Sequence, residues 1–155
     1  ISLGIPEAYG GMEIAQDATS QALALEALAY GDLSLAMSLS LPMLTAKIIT
    51  EHGSEEQKKE LLKQYSNGSM FHVGLGINNS SIMGNACNSS VSVDESGEEL
   101  ILNGTKTGIA FAEEATSFLI SATSESGESN LYVLDKDTEG LEITSKELVG
   151  SNIPS

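Results

Sequence analysis

The sequence has no arginine and no tryptophan, a single cysteine, and few aromatic residues. Its seven basic residues, all lysines, stand against 22 acidic residues, which gives a formal net charge of −15. A surface this negative repels phosphate backbones, so nucleic acid is not expected as a partner. The chain also lacks the bidentate guanidinium fork that suits pyrophosphate groups. Because Cys87 cannot form an intrachain disulfide, a cytoplasmic location is expected.

Several functional motifs are missing as well. The sequence has no GxGxxG after a predicted strand and no GxxxxGK[ST], the usual phosphate-binding loops. No Cys/His cluster has metal-ligand spacing, so no metal site is predicted. His52 and His72 are isolated, and a structural role is expected for each. No run approaches the roughly 18 apolar residues of a membrane helix, so no membrane span and no targeting peptide are expected.

The first part of the chain has helical patterns. Residues 13–30 contain no Gly or Pro and are rich in Ala and Leu, which predicts a helix ended by Gly31. Asp32 is expected to cap a following helix. In Leu33–Leu41, apolar residues alternate with Ser and Ala, which fits a strand, whereas its Leu, Met and Ala content favours a helix. If that segment is helical, Pro42 should kink it.

The clearest predicted helix follows Gly53. Ser54–Gln57 has the sequence of a capping box, in which Ser54 and Gln57 satisfy each other's backbone amides. Acidic residues stand in the first turn and lysines follow, as the helix dipole favours. Asn67-Gly68 is expected to end this helix.

After Ser69 the chain becomes rich in Ser, Asn, Val and Gly. Short apolar segments separated by Gly and Asn predict strands. They are Phe71–Ile77, Ser89–Val93, Leu100–Leu102, Ser117–Ala122, Asn130–Leu134 and Leu141–Thr144. The predicted fold class is α+β, with a helical N-terminal segment over residues 1–68 and an antiparallel β-barrel or sandwich over residues 69–155.

A series of segments resembles the acyl-CoA dehydrogenase family, in the family's own order. The "G[IV]PE.YGG" segment corresponds to Gly4–Gly11 and the "E.LA..D.SLA" helix pair to Ala22–Ala36. The "G[TS]EEQK" segment corresponds to His52–Lys58, "LNGTKxWI" begins at Leu102–Thr107, and "F.V.KDTPGL" corresponds to Tyr132–Leu141. The resemblance covers essentially the whole chain and implies a helix at Leu33–Leu41.

The resemblance implies a flavoprotein oxidoreductase of fatty acid metabolism. In the family, FAD and an acyl-CoA substrate meet, and a glutamate removes an α-proton as a hydride passes to the flavin. That glutamate lies in a C-terminal helical domain, which this chain is expected to lack. No catalytic residue is therefore assigned, and the chain alone is expected to be inactive. The intact parent is expected to be a homo-oligomer, and the chain to expose an apolar face where the missing helices dock.

The resemblance also implies site residues. The FAD contacts carried over are Leu75, Ile77, Asn78, Ile109 and Ala110, and Gly84 is carried over as a substrate contact. The flavin-contact motifs diverge: the family's "TEPxxGSD" corresponds to residues 78–85, and its "W-I-T/S" to Gly108-Ile109-Ala110. Loss of the side-chain hydrogen bonds in these motifs is expected to weaken FAD binding by about 1–3 kcal/mol. Backbone contacts are independent of the side chain and are expected to persist.

Two alternatives to the dehydrogenase stay open. The divergent motifs and the absence of arginine favour a non-catalytic homologue that acts as a binding or structural module. A relative with another substrate, such as a nitroalkane oxidase or a flavin-dependent hydroxylase, fits the same fold.

Overall fold

In a computed structural model of the chain, the structure describes residues 4–13, 17–69, 72–77, 89–97 and 99–145. The chain forms two compact units that divide between Val73 and Gly74. We call them the helical unit and the β unit. The predicted domain boundary at residues 68–69 stays a prediction.

The helical unit begins with a short 3-10 helix, Glu7–Tyr9, followed by helix α1, Ala18–Gly31. The helix predicted from residue 13 therefore starts later. The carboxylate of Asp17 accepts a hydrogen bond from the amide of Ser20 (2.9 Å), which caps α1 at that point. Asp32 caps helix α2 in the same way, by accepting from the amide of Leu35 (3.0 Å), as predicted.

Helix α2 spans Leu33–His52, so the segment that was ambiguous from sequence is helical. Its hydroxyl groups donate to carbonyl oxygens one turn back: Ser38 to Ser34 (2.8 Å), Thr45 to Leu41 (2.9 Å) and Thr50 to Ala46 (2.8 Å). These hydroxyl groups find hydrogen-bond acceptors within the helix. The alternating polar residues therefore do not require a strand with one polar face. Pro42 is buried within α2; the predicted kink stays a prediction.

Helices α1 and α2 expose an apolar surface. By length and composition alone, the 20-residue α2 is long and apolar enough to cross a membrane, the one such helix in the described part of the chain. Core helices of water-soluble proteins pass the same test, so this is weak evidence for a span. Large apolar side chains exposed on α1 and α2 are Leu23, Leu28, Tyr30, Leu33, Leu35, Met37 and Leu44.

Three consecutive helical segments complete the unit: Glu55–Gln57 is α-helical, Lys58–Leu62 is π-helical and Lys63–Ser66 is α-helical. We call them together α3. The predicted capping box is confirmed, since Ser54 Oγ accepts from the Gln57 amide (3.3 Å) and the Ser54 amide donates to Gln57 Oε1 (2.9 Å). Leu61, Leu62 and Tyr65 of α3 are buried in the core of the unit.

The two histidines lie in contrasting environments. The His52 side chain is 74% exposed at the end of α2. His72 is buried, with Nδ1 2.6 Å from the Ser69 carbonyl oxygen and Nε2 2.8 Å from that of Leu61. Its ring packs edge-on against Tyr65, with ring centroids 4.2 Å apart. His72 thus ties the chain that enters the first strand to the Leu61 carbonyl of α3 and to the Ser69 carbonyl that follows the helix.

The strands form one five-stranded sheet. They are β1 (Val73–Gly76), β2 (Val91–Asp94), β3 (Ile101–Gly104), β4 (Ser117–Ser124) and β5 (Ser129–Asp135). The order is β1-β4-β2-β3, and β5 also pairs with β4. Strands β2 and β3 are antiparallel, as are β4 and β5, whereas β2 and β4 are parallel, with Ser92 opposite Thr123.

This topology corrects the predicted fold class in part. The α+β arrangement is confirmed, but the sheet is mixed rather than antiparallel, because the chain between β3 and β4 returns β4 parallel to β2. Among the described strands the sheet is open, since its order ends at β1 on one side and β3 on the other. A closed barrel is therefore wrong for this part of the chain.

The core of the β unit lies against β2 and β4. Its buried members are Val91, Val93, Ala115, Phe118, Ile120 and Ala122. Leu141 and Ile143 pack against this core without forming the predicted strand at 141–144. A turn in which the Leu141 amide donates to the Thr138 carbonyl (3.1 Å) precedes them, so packing rather than strand pairing accounts for their apolar pattern.

Candidate functional site

The loop between β3 and β4 contains a segment whose backbone has no hydrogen-bond partner among the described residues. Residues 107–110 make no hydrogen bond to the described part of the chain through their amide or carbonyl groups. Thr107, Ile109 and Ala110 are nonetheless half-buried. Because half-buried backbone groups usually have partners, this segment can pair with a ligand.

Gly108 determines the shape of this loop. Its φ of +70° lies in the left-handed region, which costs a residue with a side chain more than it costs glycine. A Cβ atom added at Gly108 would meet no atom within 4 Å in the described part of the chain. Where the resembling motif has an aromatic residue, this chain therefore has an open space beside the unpaired segment.

The side chain of Ile109 anchors the loop on β1. A Cβ atom added at Gly74 would lie 3.1 Å from Ile109 Cγ2, and one added at Gly76 would lie 3.0 Å from Ile109 Cδ1. Both glycines leave room for Ile109 and for the neighbouring rings and methyl groups of β4. Since side chains alternate along a strand, Leu75 and Ile77 point to the opposite face from this contact.

The structure brings together part of the predicted flavin set. Ile109 lies on β1, next to the backbone of Leu75, and Leu75, Ile77, Ile109 and Ala110 are all half-buried. Asn78 and Gly84 lie outside the described residues. Assignment of these positions to FAD and substrate stays a prediction.

A polar cluster around Lys106 was missed by sequence reasoning. Lys106 Nζ donates to Ser89 Oγ and Ser121 Oγ, both at 2.8 Å. Ser89 Oγ donates to the Ser121 carbonyl (2.6 Å), and Ser121 Oγ donates to the Ile77 carbonyl (3.4 Å). Burial lowers the pKa of Lys106 below its ordinary value of 10.5. The only sequence signal was the place of Lys106 in Leu102–Thr107, which carried the resemblance but no role.

The described site fits the ring portion of FAD. Half-buried Ile109 offers apolar surface, and the backbone of residues 107–110 offers donors and acceptors for the polar edge of a flat heterocycle. The described lysines of the β unit, Lys106 and Lys136, already donate to protein oxygens. A pyrophosphate held by the described part of this unit would therefore depend on backbone amides.

A metal site is not found in the described residues, since no group of three or more His, Cys, Asp or Glu side chains is placed to hold an ion. The arrangement is thus suited to holding and orienting an organic ligand through main-chain groups and apolar contacts.

Curated relatives match almost the whole chain. Glutaryl-CoA dehydrogenase of Desulfococcus multivorans is 27% identical over 154 residues, which cover 96% of this chain and 39% of the relative. The short/branched chain specific acyl-CoA dehydrogenase of Rattus norvegicus mitochondria is 30% identical over 149 residues, which cover 90% of this chain and 32% of the relative. The chain therefore spans about a third to two fifths of the length of these relatives.

The fold and a family model lead to the same group of proteins. A glutaryl-CoA dehydrogenase of Mycobacterium smegmatis, solved in complex with FADH2, superposes with a TM-score of 0.75 at 25% identity and covers 99% of this chain and 40% of that one. Residues 1–69 match the model for the N-terminal domain of acyl-CoA dehydrogenases. With the helical match, the relatives and the fold in agreement, this chain belongs to the acyl-CoA dehydrogenase family.

Proposed function

We propose that this chain is part of a longer, FAD-dependent acyl-CoA dehydrogenase that oxidises the α,β-bond of an acyl-CoA thioester. The observation that carries the proposal is the backbone of residues 107–110, which has no partner among the described residues although three of its four residues are half-buried, and which Ile109 fixes on β1. The likeness to a protein solved with FADH2 supports the cofactor. The names of the relatives support a CoA thioester as the substrate class.

The residues of this chain bind and orient rather than react. The flavin, when bound, supplies the chemistry of accepting a hydride from the substrate. Amides of residues 107–110 donate to the ligand and their carbonyls accept from it. The side chain of Ile109 excludes water from the apolar part of the site. We assign no general base within the described residues and place that role in a region of the longer protein outside this chain.

A second candidate rests on two positions in the same loop. Gly108 provides no aromatic surface and Ala110 no hydroxyl where the resembling motif has both. A homologue that has lost flavin chemistry and acts as a binding module would retain the fold and the Ile109 anchor while losing these groups.

A flavin titration separates the two candidates. The visible absorbance spectrum and the FAD dissociation constant are measured for this chain and for the complete polypeptide that carries it. The dehydrogenase proposal expects a bound-flavin band in the complete polypeptide. The same sample should reduce its flavin when an acyl-CoA thioester is added. Absence of a flavin band at saturating FAD in both polypeptides leaves the binding module as the better account.

A matched pair of variants locates the site. Ile109→Ala removes the anchor of the loop, whereas Ile143→Ala removes the same atoms from another half-buried position on the same core. We expect Ile109→Ala to weaken FAD binding about tenfold more than Ile143→Ala, because misplaced backbone donors lose their hydrogen bonds. Equal affinities in the two variants would remove the loop from the flavin site.

A further inference from the structure

Lys106 lies at the centre of contacts that join distant parts of the β unit. Its ammonium group reaches Ser89, which precedes β2, and Ser121, which is in β4. Through Ser121 it is linked to the Ile77 carbonyl at the end of β1. Ser121 is 5% exposed whereas Lys106 and Ser89 are half-buried, so this network reaches from the surface into the unit.

The hydrogen-bond pattern makes Lys106 the donor in this cluster. The hydroxyl hydrogen of Ser89 is used on the Ser121 carbonyl, and that of Ser121 on the Ile77 carbonyl. Each hydroxyl oxygen therefore accepts from Lys106, which donates to both.

The same cluster fixes one end of the unpaired loop. Thr105 precedes Lys106, and its carbonyl accepts from Ser90 Oγ (2.7 Å). At the other end of the segment, Ile109 rests on Gly74 and Gly76 of β1. Residues 107 and 108 thus lie between a polar anchor at Thr105 and an apolar anchor at Ile109, and Gly108 makes the left-handed turn.

We propose that Lys106 is a positioning residue that sets the backbone of residues 107–110 and the Ile77 carbonyl for ligand binding. Lys106 acts through Ser89 and Ser121 and need not touch the ligand. The role of this ligand site rests on the proposed function, but the positioning itself is a property of the folded chain. It is therefore measurable with and without FAD.

The first measurement uses no cofactor. Amide ¹H–¹⁵N chemical shifts are compared between the wild-type chain, Lys106→Met and Lys136→Met. Methionine keeps most of the apolar stem and removes the donors, and Lys136 is a matched control because its Nζ donates to the Glu113 carbonyl. We expect Lys106→Met to move the amide signals of residues 107–110 and 77, and Lys136→Met to leave them in place. Unmoved signals in folded Lys106→Met overturn the proposal.

The second measurement is FAD affinity in the complete polypeptide. We expect Lys106→Met to weaken binding about tenfold, with an unfolding temperature close to that of Lys136→Met. Ser121→Ala, which removes the link to Ile77, should weaken binding as well, and the double variant should lose less than the sum of the single losses. Additive losses from Lys106 and Ser121 would contradict action through one network.

Two further outcomes are distinguishable. If Lys106→Met does not fold, Ser89→Ala serves instead, because it removes one acceptor of Lys106 and keeps the ammonium group; it should move the same amide signals, and their staying in place overturns the proposal. If the wild-type protein binds no FAD, the proposed function fails, and the amide shifts alone decide whether Lys106 positions the loop.

Discussion

The helical unit and the β unit differ in the contacts that hold each of them together internally, because these contacts span different distances along the sequence. In the helical unit, the caps of α1, α2 and α3 each join residues three positions apart in sequence. In the β unit, the network of Lys106 joins residues 15, 17 and 44 positions apart. Local contacts follow from the identities of neighbouring residues, whereas distant contacts depend on the completed fold.

The two units also differ in how their elements are covered. Helix α1 has no fully buried residue, whereas the first six of the eight residues of β4 are buried. Helix α1 packs against α2 and still leaves apolar side chains exposed. Strand β4 pairs with neighbouring strands along its edges, and its side chains Phe118, Ile120 and Ala122 are buried in the core. Substitutions should therefore have effects that depend on the unit and on the face.

The largest expected effect tests the buried side of the helical unit. Leu62 is fully buried, with 0% exposure, whereas Leu23 on α1 is 60% exposed. We expect Leu62→Ala to lower the free energy of unfolding by about 3 kcal/mol, through lost burial and the cavity left behind. Leu23→Ala should change it by about 0.5 kcal/mol or less.

Urea unfolding of both leucine variants, followed by circular dichroism, checks this prediction. A large loss for Leu23→Ala would mean that α1 is covered in solution. The side chains of α1 would then be buried like those of β4, which contradicts the contrast between the two units.

A somewhat smaller effect is expected from backbone strain in the β unit. Gly104 has a φ of +146°, and a Cβ atom there would lie 2.4 Å from the Ser90 carbonyl oxygen. Because the clash is with backbone, Gly104→Ala should cost about 2 kcal/mol. Gly97→Ala, whose Cβ would have its nearest atom at 3.7 Å, is the control and should be nearly neutral. Thermal unfolding of the two alanine variants compares them; equal midpoints would show that the backbone at the end of β3 shifts easily.

The sequence predicted much of the helical unit for this reason. Asp32 and the Ser54–Gln57 box were identified because their partners lie within one turn. The start of α1 was misplaced because Ala-rich residues continue upstream of Asp17, and only the observed hydrogen bond to Ser20 shows where the helix begins. The helical state of Leu33–Leu41 required the resemblance, since hydroxyls bonded within a helix leave a strand-like pattern.

The β unit was predicted less completely. Positions of β1 to β5 were found approximately, because apolar segments between Gly and Asn are local signals. The parallel pairing of β2 with β4 and the open sheet order were not predicted, because the sequence of a single segment does not identify its pairing partner. Resemblance brought Ile109 into the candidate site, but the unpaired backbone beside it and the cluster of Lys106, Ser89 and Ser121 exist only in the folded chain.

The smallest expected effect concerns an exception to the contrast, a distant contact within the helical unit. Tyr9 Oη donates to a carboxylate oxygen of Glu55 at 2.8 Å, across 46 positions of sequence. This hydrogen bond, with help from Lys58, holds the pKa of Glu55 below its ordinary value of 4.5. The same hydrogen bond is the main cause that raises the pKa of Tyr9 above 10.0, with desolvation and the charge of Glu55 adding to it.

The sign of the pH dependence follows from these two shifts. The carboxylate is favoured in the folded state, so its contribution is present above pH 4.5 and is lost as the pH falls through the lowered pKa of Glu55. The phenol is also favoured in the folded state, so its contribution is present below pH 10.0 and is lost as the pH rises through the raised pKa of Tyr9. We therefore expect the stability difference between wild type and Tyr9→Phe to be greatest near neutral pH.

Tyr30→Phe, at a tyrosine that is 96% exposed, should leave stability unchanged. Urea midpoints measured from acid to alkaline pH test this. Because both groups are at the surface, solvent weakens the interaction. A difference that stays constant with pH would show that the 3-10 helix Glu7–Tyr9 is held to α3 by packing rather than by this hydrogen bond.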